Sequence, residues 1–244
     1  MKLICLGSSS KGNCYILESE KEALIIECGI PLREVKKTLN FNVGKIVAAI
    51  ISHEHGDHAA YINDFTKATI DVYCSRGTAM NFNVHHRLHR INAGSLIHIG
   101  EFKVLPFDVR HDAAEPLGFL INHPESGNVL FLTDSFYSEF TFKDLNNIIL
   151  EVNYDKDILE ENIISGRLNK KIKNRIITSH MSLDTAKELL AANDLSKVNN
   201  IILIHLSDGN SHAVNFKKDI ESATGKTITV ADSGTEILLN KTPF

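Results

Sequence analysis

The sequence predicts a β-rich α/β sandwich, and two observations lead to this: the order of its elements and the absence of any segment that divides the chain. Short apolar strands come first, and later strands alternate with helix-like segments, an order typical of layered α/β folds. No linker, low-complexity tract or block of like charge divides the 244 residues. We therefore expect one domain over residues 1–244, a length that can bury a substantial core.

The composition is that of a soluble globular protein, with 43% hydrophobic and 23% charged residues. The formal net charge is −4, so nucleic-acid binding would need a local basic patch. No apolar run approaches the roughly 20 residues of a membrane span, and the four cysteines form no CxxC pair. We expect a cytoplasmic protein whose thiols are reduced and mostly buried.

The expected strands and helices follow from β-branched apolar runs, turn residues and helix-capping residues. Strands are expected over residues 2–6, 13–19, 22–27, 46–51, 70–73, 96–99, 102–109, 117–122, 129–132, 148–150, 201–204, 227–230 and 236–239. Helices are expected over residues 31–40, 59–67, 155–166, 183–192 and 213–223, with Ser182 as an N-cap. Residues 7–13 are expected to form a small-residue loop, and residues 176–179 a short apolar strand that ends at His180.

The segment from His53 to His58 places four potential metal ligands within six residues, directly after a buried strand. In an extended segment His53 and His55 point to the same side. Gly56 permits a sharp turn that brings Asp57 and His58 beside them. Two imidazoles can then serve one metal ion, while a carboxylate and a third imidazole serve a second ion about 3.5–4 Å away.

A histidine or an aspartate also follows apolar runs at further positions along the chain. These are His111, Asp134, His180 and His205. A single histidine at the end of a strand is usually structural. Five such positions, one of them the dense HxHxDH segment, indicate a metal centre.

HxHxDH, a lone histidine, a strand-end aspartate and a late strand-end histidine together resemble the metallo-β-lactamase superfamily. Finer matches resemble its YycJ/WalJ-like branch, which is related to the RNase Z-type phosphodiesterases. They lie at residues 7–13, 111–116, 133–134, 180–182 and 205–207. The resemblance covers essentially the whole chain, and it implies a four-layer αββα sandwich with two metal ions in a groove at one edge of the sheets.

The resemblance also implies roles for individual residues. The first metal ion would be held by His53, His55 and His111, the second by Asp57, His58 and His205, and Asp134 would bridge the two. Nitrogen and oxygen donors suit Zn²⁺ or Mn²⁺, and a water shared by the ions would supply hydroxide at neutral pH. Asp57 would also orient or deprotonate the nucleophile. His180 would protonate the leaving oxygen, with Glu151 positioning it.

Substrate contacts are expected from two polar segments. Ser9 and Ser10 lie in the small-residue loop, which is either a plain connection or an anion-binding loop. Arg175 ends a stretch with five Lys or Arg in nine residues, which is either a solvated face or a surface that binds a nucleic-acid backbone.

The alternative role for His180 is that of a hydrogen-bonded structural histidine. Residues 84–90, rich in His and Arg, lack a nearby carboxylate, and we expect a solvated, mobile segment, with a phosphate contact as the alternative.

We predict a dinuclear metal-dependent phosphodiesterase, specifically a nuclease that acts on DNA or RNA ends. The alternatives are a phage-type, signal-degrading cyclic-nucleotide phosphodiesterase, a lactam, lactone or thioester hydrolase on the same fold, and a metal-binding protein without turnover. Glu27 and Tyr154 stand where relatives commonly carry aspartate and histidine, and they leave the substrate open. The expected partners are a nucleic-acid or cyclic-nucleotide substrate and a second copy in a homodimer, and no membrane.

Overall fold

The computed structural model describes residues 1–242, and within them 14 strands and eight helices form the fold. The strands are β1 (Lys2–Ser9), β2 (Gly12–Glu18), β3 (Ala23–Ile26), β4 (Ile46–Ile50), β5 (Val72–Cys74), β6 (Leu88–Arg90), β7 (Ile97–Ile99), β8 (Phe102–Asp108), β9 (Leu117–His123), β10 (Gly127–Leu132), β11 (Leu145–Glu151), β12 (Asn200–Ile204), β13 (Thr227–Val230) and β14 (Glu236–Leu238). The helices are α1 (Leu32–Thr38), α2 (Gly56–Ala59), α3 (Ile62–Lys67), α4 (Arg76–Ala79), α5 (Lys156–Ile164), α6 (Lys170–Ser179), α7 (Leu183–Ala191) and α8 (Ala213–Thr224).

The strands form two seven-stranded sheets of matching design. The first has the order β14-β1-β2-β3-β4-β5-β6 and the second the order β13-β12-β11-β10-β9-β8-β7. In the first sheet β3 to β6 are parallel, and in the second β10 to β13 are parallel. The other pairs in both sheets are antiparallel. Open α/β sheets place their sites at the carboxyl ends of parallel strands, so each sheet has one such edge.

Alternating side chains on the central strands fill three apolar layers. On β2, Tyr15 belongs to the core between the sheets, and Ile16 belongs to the core under α1 and α3. On β11, Ile149 points between the sheets, and Ile148 packs under α7 and α8. This period of two is what a sheet covered on both faces requires. The layers are helix, sheet, sheet and helix, which confirms the predicted αββα sandwich.

Residues 7–13 form a tight hairpin, and the prediction of a loop there was wrong. Strand β1 continues to Ser9 and β2 starts at Gly12, with a register shift between Cys5 and Gly7. A Cβ atom on Gly7 would lie 2.5 Å from the carbonyl oxygen of Gly12, so glycine permits the two strands to approach this closely. In sequence, the same small residues look like a flexible connection.

Residues 176–179 belong to helix α6, so the prediction that His180 follows a strand was also wrong. Asn169 caps this helix by accepting a hydrogen bond from the N–H of Ile172 at 2.9 Å. The apolar residues Ile172 and Ile176 are four apart, which is the spacing of one helix face. The expected helix over residues 59–67 is divided into α2 and α3.

The His- and Arg-rich residues 84–90 contain the edge strand β6, which pairs with β5. Arg87 donates a hydrogen bond to Asp71 at 3.0 Å, and His89 Nε2 lies 2.7 Å from the same carboxylate. The expectation that no carboxylate lies nearby was therefore wrong, because Asp71 directly precedes the neighbouring strand β5. Every residue from 84 to 90 is exposed or half-buried, in agreement with a solvated segment.

Among residues 1–242, no helix is both long enough and apolar enough to cross a bilayer.

Candidate metal centre

The predicted metal ligands gather where the parallel strands end. His53 follows β4, Asp134 follows β10, and His205 follows β12 directly. Glu151 is the last residue of β11, and His111 lies three residues beyond β8. Because the two sheets face each other, these strand ends from both sheets meet at one edge of the sandwich.

The HxHxDH segment turns back on itself as its glycine predicts. Helix α2 begins at Gly56, and His55 lies at its N-cap position. The returning chain packs against Gly29, where a Cβ atom would lie only 1.7 Å from the carbonyl oxygen of Asp57. The N–H of Cys28 donates to the carbonyl of His58 at 2.7 Å. The segment just after β3 therefore holds the ligand-bearing turn in place.

A first group of donor atoms comes from three imidazoles and one carboxylate. His53 Nε2 and His111 Nε2 lie 3.0 and 3.1 Å from His55 Nδ1. Asp134 Oδ2 lies 3.6 Å from His53 Nε2 and 3.7 Å from His111 Nε2. All four atoms lie within 4.8 Å of one another. Zinc bonds of 2.0–2.2 Å in a tetrahedral site hold ligand atoms about 3.3 Å apart, so this spacing suits one shared cation.

A second group shares Asp134 with the first. His58 Nε2 lies 3.3 Å from Asp57 Oδ2 and 3.2 Å from Asp134 Oδ2. His205 Nε2 lies 3.5 Å from Asp57 Oδ2, and it is buried without a hydrogen-bond partner among the described residues. A buried polar atom without a partner is costly, and a cation held between these groups would satisfy it.

Contacts behind the ring nitrogens orient the histidines toward the two groups. His111 Nδ1 lies 2.8 Å from the carbonyl oxygen of Ser179, to which it donates. His53 Nδ1 lies 2.8 Å from the hydroxyl oxygen of Ser52. Such partners fix a histidine tautomer and leave the other nitrogen free for a metal.

The charges of the groups fit a cation. Burial opposes ionisation of Asp57, but the neighbouring rings of His205 and His58 hold the pKa of its carboxyl well below the usual range. Burial also opposes a charge on His205, yet Asp134 raises the pKa of that ring well above its ordinary value. Metal binding requires neutral imidazoles and releases their protons. A divalent cation would therefore replace protons that these carboxylates otherwise attract.

His180 and Glu151 form a pair beside the two groups. His180 Nδ1 lies 2.7 Å from Glu151 Oε1, and His205 Nδ1 lies 3.0 Å from the same oxygen. The second oxygen of Glu151 accepts from the N–H groups of Ser135 and Met181 at 3.1 and 3.4 Å. Burial lowers the pKa of His180, but the charge of Glu151 raises it above the ordinary value overall.

Three residues at this edge have the left-handed backbone that favours glycine. The φ angles are 69° at Glu27, 44° at Asp134 and 54° at His205. This conformation turns the chain sharply just after β3, β10 and β12 and aims the side chains along the edge of the sheets. A non-glycine residue held there costs of order 1–3 kcal/mol.

A cavity of about 550 Å³ opens over both donor groups. The predicted substrate residues Ser9, Ser10 and Arg175 all line it, together with Asp57 and His180. Arg175 is exposed, and its Nε lies 3.6 Å from Asp112 Oδ2. A second cavity of about 610 Å³ shares Ser9 with the first and continues along residues 206–208.

Two site residues were not predicted from the sequence. The amide nitrogen of Asn13 lies 3.2 Å from Asp57 Oδ2 and 3.1 Å from His58 Nε2. The hydroxyl of Ser8 accepts the N–H of His205 at 2.8 Å. Both come from the β1–β2 hairpin, and no local pattern distinguishes them from their polar neighbours.

Residues 24–206 match the family described as beta-lactamase superfamily domain. This chain belongs to that family. The matched range contains all seven predicted ligands, from His53 to His205, and the superfamily predicted from the sequence is confirmed.

Two bacterial relatives are similar over most of the chain. Exodeoxyribonuclease YycJ of Bacillus anthracis is 26% identical over 222 residues, which cover 84% of this chain and 82% of the relative. Exodeoxyribonuclease WalJ of Streptococcus pneumoniae is 26% identical over 226 residues, covering 86% and 83% of the two chains. The family and the names of these relatives agree with the predicted class, a metal-dependent hydrolase of the nuclease type.

Solved structures share the fold at low identity. The metallo-beta-lactamase fold protein YhfI of Bacillus subtilis has a TM-score of 0.73 at 17% identity, covering 97% of this chain and 98% of its own. Zinc-bound PqqB of Methylobacterium extorquens has a TM-score of 0.71 at 13% identity, covering 98% and 100%. The short form of human tRNase Z has a TM-score of 0.64 at 15% identity, covering 98% and 99%.

Proposed function

We propose that this protein is a dinuclear metal-dependent nuclease that hydrolyses phosphodiester bonds at the ends of DNA. The observation that carries this proposal is the pair formed by His180 and the buried Glu151, in which His180 lines the same cavity as the two donor groups. A phosphodiester expels an alkoxide, and a positioned acid accelerates that step strongly. The names of the two relatives, both exodeoxyribonucleases, support DNA as the substrate.

Two divalent ions, Zn²⁺ or Mn²⁺, are proposed for the donor groups. The first would be held by His53, His55 and His111, the second by Asp57, His58 and His205, with Asp134 shared. When bound, such ions neutralise charge on the phosphate oxygens and lower the pKa of bound water.

The chain's own groups orient the nucleophile and move the proton. Asp57 is anionic, and its side chain reaches the cavity beside Asn13, so it can accept a hydrogen bond from the attacking water. His180 contacts Glu151 through Nδ1, so its Nε2 is the nitrogen free to give a proton to the leaving oxygen. The buried Glu151 keeps the ring oriented and favours its charged form.

The cavity walls suit a polynucleotide. On one side, Ser9 and Ser10 offer hydroxyls at the β1–β2 turn. On the other side, Arg175 lies beside Ile172 and Ile176 on helix α6. Arginine binds phosphate in a fork geometry, and an exposed apolar side chain can lie against a base. The second cavity, which continues from the first, gives room for a further nucleotide and favours a chain over a single cyclic nucleotide.

The substrate is tested with protein loaded with Zn²⁺ or Mn²⁺. End-labelled single- and double-stranded DNA, RNA and a panel of cyclic nucleotides are compared, with Asp57→Ala as the inactive control. We expect stepwise shortening of DNA from an end. Cleavage of cyclic nucleotides alone would favour the alternative phosphodiesterase, and no cleavage above the control on any substrate would refute the proposal.

The role of His180 is tested by changing the leaving group. His180→Ala should lose at least about a hundredfold in activity on DNA. The same variant should keep most of its activity on bis(p-nitrophenyl) phosphate, because nitrophenolate leaves without a proton. His98→Ala, on an exposed strand position, is the matched control and should behave as wild type. Equal losses on both substrates, or loss of bound metal, would contradict the assignment.

We also propose that residues 1–244 act as one hydrolase domain in the cytoplasm, and that two copies form a homodimer. Light scattering on the purified protein tests the dimer, and a monomer at micromolar concentration would contradict it.

A further inference from the structure

A third group of potential ligands lies far from the catalytic cavity. Glu22 belongs to the β2–β3 turn, Glu101 to the β7–β8 turn and His123 to the end of β9. Strand β10 begins four residues after His123 and ends two residues before Asp134 at the catalytic edge. At about 3.3 Å per residue, this strand separates the two places by roughly 20 Å. The group therefore lies at the opposite end of the sandwich, where the first sheet meets the second.

The distances in this group are those of atoms that share a cation. His123 Nε2 lies 3.5 Å from Glu22 Oε1 and 3.8 Å from Glu101 Oε2. Both distances are too long for good hydrogen bonds, and they are close to the roughly 3.3 Å between the ligands of one zinc ion. His123 is only 1% exposed, and its Nε2 has no hydrogen-bond partner within residues 1–242.

The carboxylate of Glu22 is buried without a cationic side chain beside it. Its Oε1 accepts the N–H of Glu101 at 2.8 Å. In the described part of the chain, no Lys or Arg forms an ion pair with Glu22 or Glu101. Gly100 leaves the space that this carboxylate fills, because a Cβ atom there would lie 2.2 Å from Glu22 Oε2. A buried anion without a counter-charge is strongly unfavourable.

We infer that Glu22, Glu101 and His123 bind a divalent cation, with Zn²⁺ the best match, which links the two sheets. One imidazole and two carboxylates supply three ligands of the kind that zinc takes, and a water completes the fourth position. Such an ion would join the β2–β3 turn of the first sheet to two turns of the second. Its role is structural, since it lies away from the catalytic cavity.

The histidine must change its tautomer when the ion binds. His123 Nδ1 accepts the N–H of Glu125 at 3.2 Å, so without the ion the ring proton is on Nε2. Zinc needs the lone pair of Nε2, and the proton then moves to Nδ1. The hydrogen bond from Glu125 is lost in that step. Zinc binding therefore should move the backbone of the turn at residues 124–126.

The first test counts bound zinc in the whole protein by equilibrium dialysis and elemental analysis. Wild type should bind one more equivalent than His123→Ala, and Glu101→Gln should weaken this last equivalent at least tenfold. Glu125→Gln and His98→Ala are matched controls, because Glu125 pairs with the amino terminus and His98 is exposed. Equal zinc in wild type and in both site variants would overturn the inference.

A second measurement covers the case in which His123→Ala does not fold. Nitrogen NMR of the histidine side chains in wild-type protein reports the tautomer of each ring during a zinc titration. We expect His123 to change from the Nε2-protonated to the Nδ1-protonated form, together with a shift of the Glu125 amide signal. An unchanged His123 ring at saturating zinc would show that only water fills the space, and it would overturn the inference.

Discussion

Replacement of Glu151 by glutamine tests whether one buried carboxylate holds both His180, the proposed acid, and His205, a proposed metal ligand. Each oxygen of Glu151 serves two donors, the rings of His180 and His205 on one side and two backbone N–H groups on the other. Glutamine keeps the shape of the side chain but offers only one oxygen. Its NH₂ group must therefore face two donors in either orientation.

Both orientations of the glutamine weaken the site. If the NH₂ group faces the rings, His180 and His205 lose the acceptor that they share, and Nδ1 of His205 keeps only Asp134 Oδ1, 2.8 Å away. If it faces the backbone, two buried N–H groups lose their acceptor, which costs about 1–3 kcal/mol for each. Changes behind a metal ligand typically weaken metal binding 10–100-fold, or about 1.4–2.7 kcal/mol.

The assay is competition for Zn²⁺ between the protein and a chromophoric chelator. We expect Glu151→Gln to raise the dissociation constant of one zinc ion by 10–100-fold and to leave the other within a few-fold. Glu54→Gln is the matched control: Glu54 lies between two proposed ligands in sequence, but its carboxylate accepts the N–H of Ala114 at 2.8 Å, which glutamine can also do. Unchanged zinc affinity in Glu151→Gln would refute this reasoning.

Three further predictions concern the packing around the site. The native protein should not react with a thiol reagent at mildly alkaline pH, whereas the unfolded protein should expose four thiols, because burial raises the pKa of every cysteine, namely Cys5, Cys14, Cys28 and Cys74. Gly29→Ala should lower metal content and melting temperature together, since its Cβ would lie 1.7 Å from the carbonyl oxygen of Asp57; a variant with normal metal content would contradict this. Phe131→Ala should lower the free energy of unfolding in urea by about 3–5 kcal/mol, because the ring is fully buried and its centroid lies 5.5 Å from that of the Tyr15 ring. Val84→Ala, 91% exposed, should change it by less than about 0.5 kcal/mol.

The sequence predicted the strands well where apolar runs are bounded by polar turns, as at β4 and β12. The prediction from the sequence failed where the same residue types are compatible with two kinds of secondary structure. The small residues 7–13 look like a loop, but Gly7 allows β1 to approach Gly12 of β2 closely. Residues 176–178 are β-branched and begin with two isoleucines, yet the capping of α6 by Asn169 at the other end makes them helical.

The proposed ligands were found from the sequence because histidine and aspartate at strand ends are rare and local signals. The structure brings all seven together from four separate segments, residues 53–58, 111, 134 and 205. The residues that contact these ligands could not be predicted from the sequence. Asn13 and Ser8 touch ligands more than forty residues away in sequence, and the local sequence does not distinguish them from the other polar residues of the hairpin. The group of Glu22, Glu101 and His123 was missed for the same reason, since its members come from three distant turns.

The left-handed backbone at Asp134 and His205 has a consequence for attempts to stabilise this protein. Glycine at either position would relieve a local strain of order 1–3 kcal/mol and remove a proposed ligand in the same step. A selection for heat resistance alone would therefore favour inactive variants at these positions. Engineering should leave both positions fixed and seek stability elsewhere, for example on the exposed face of α8.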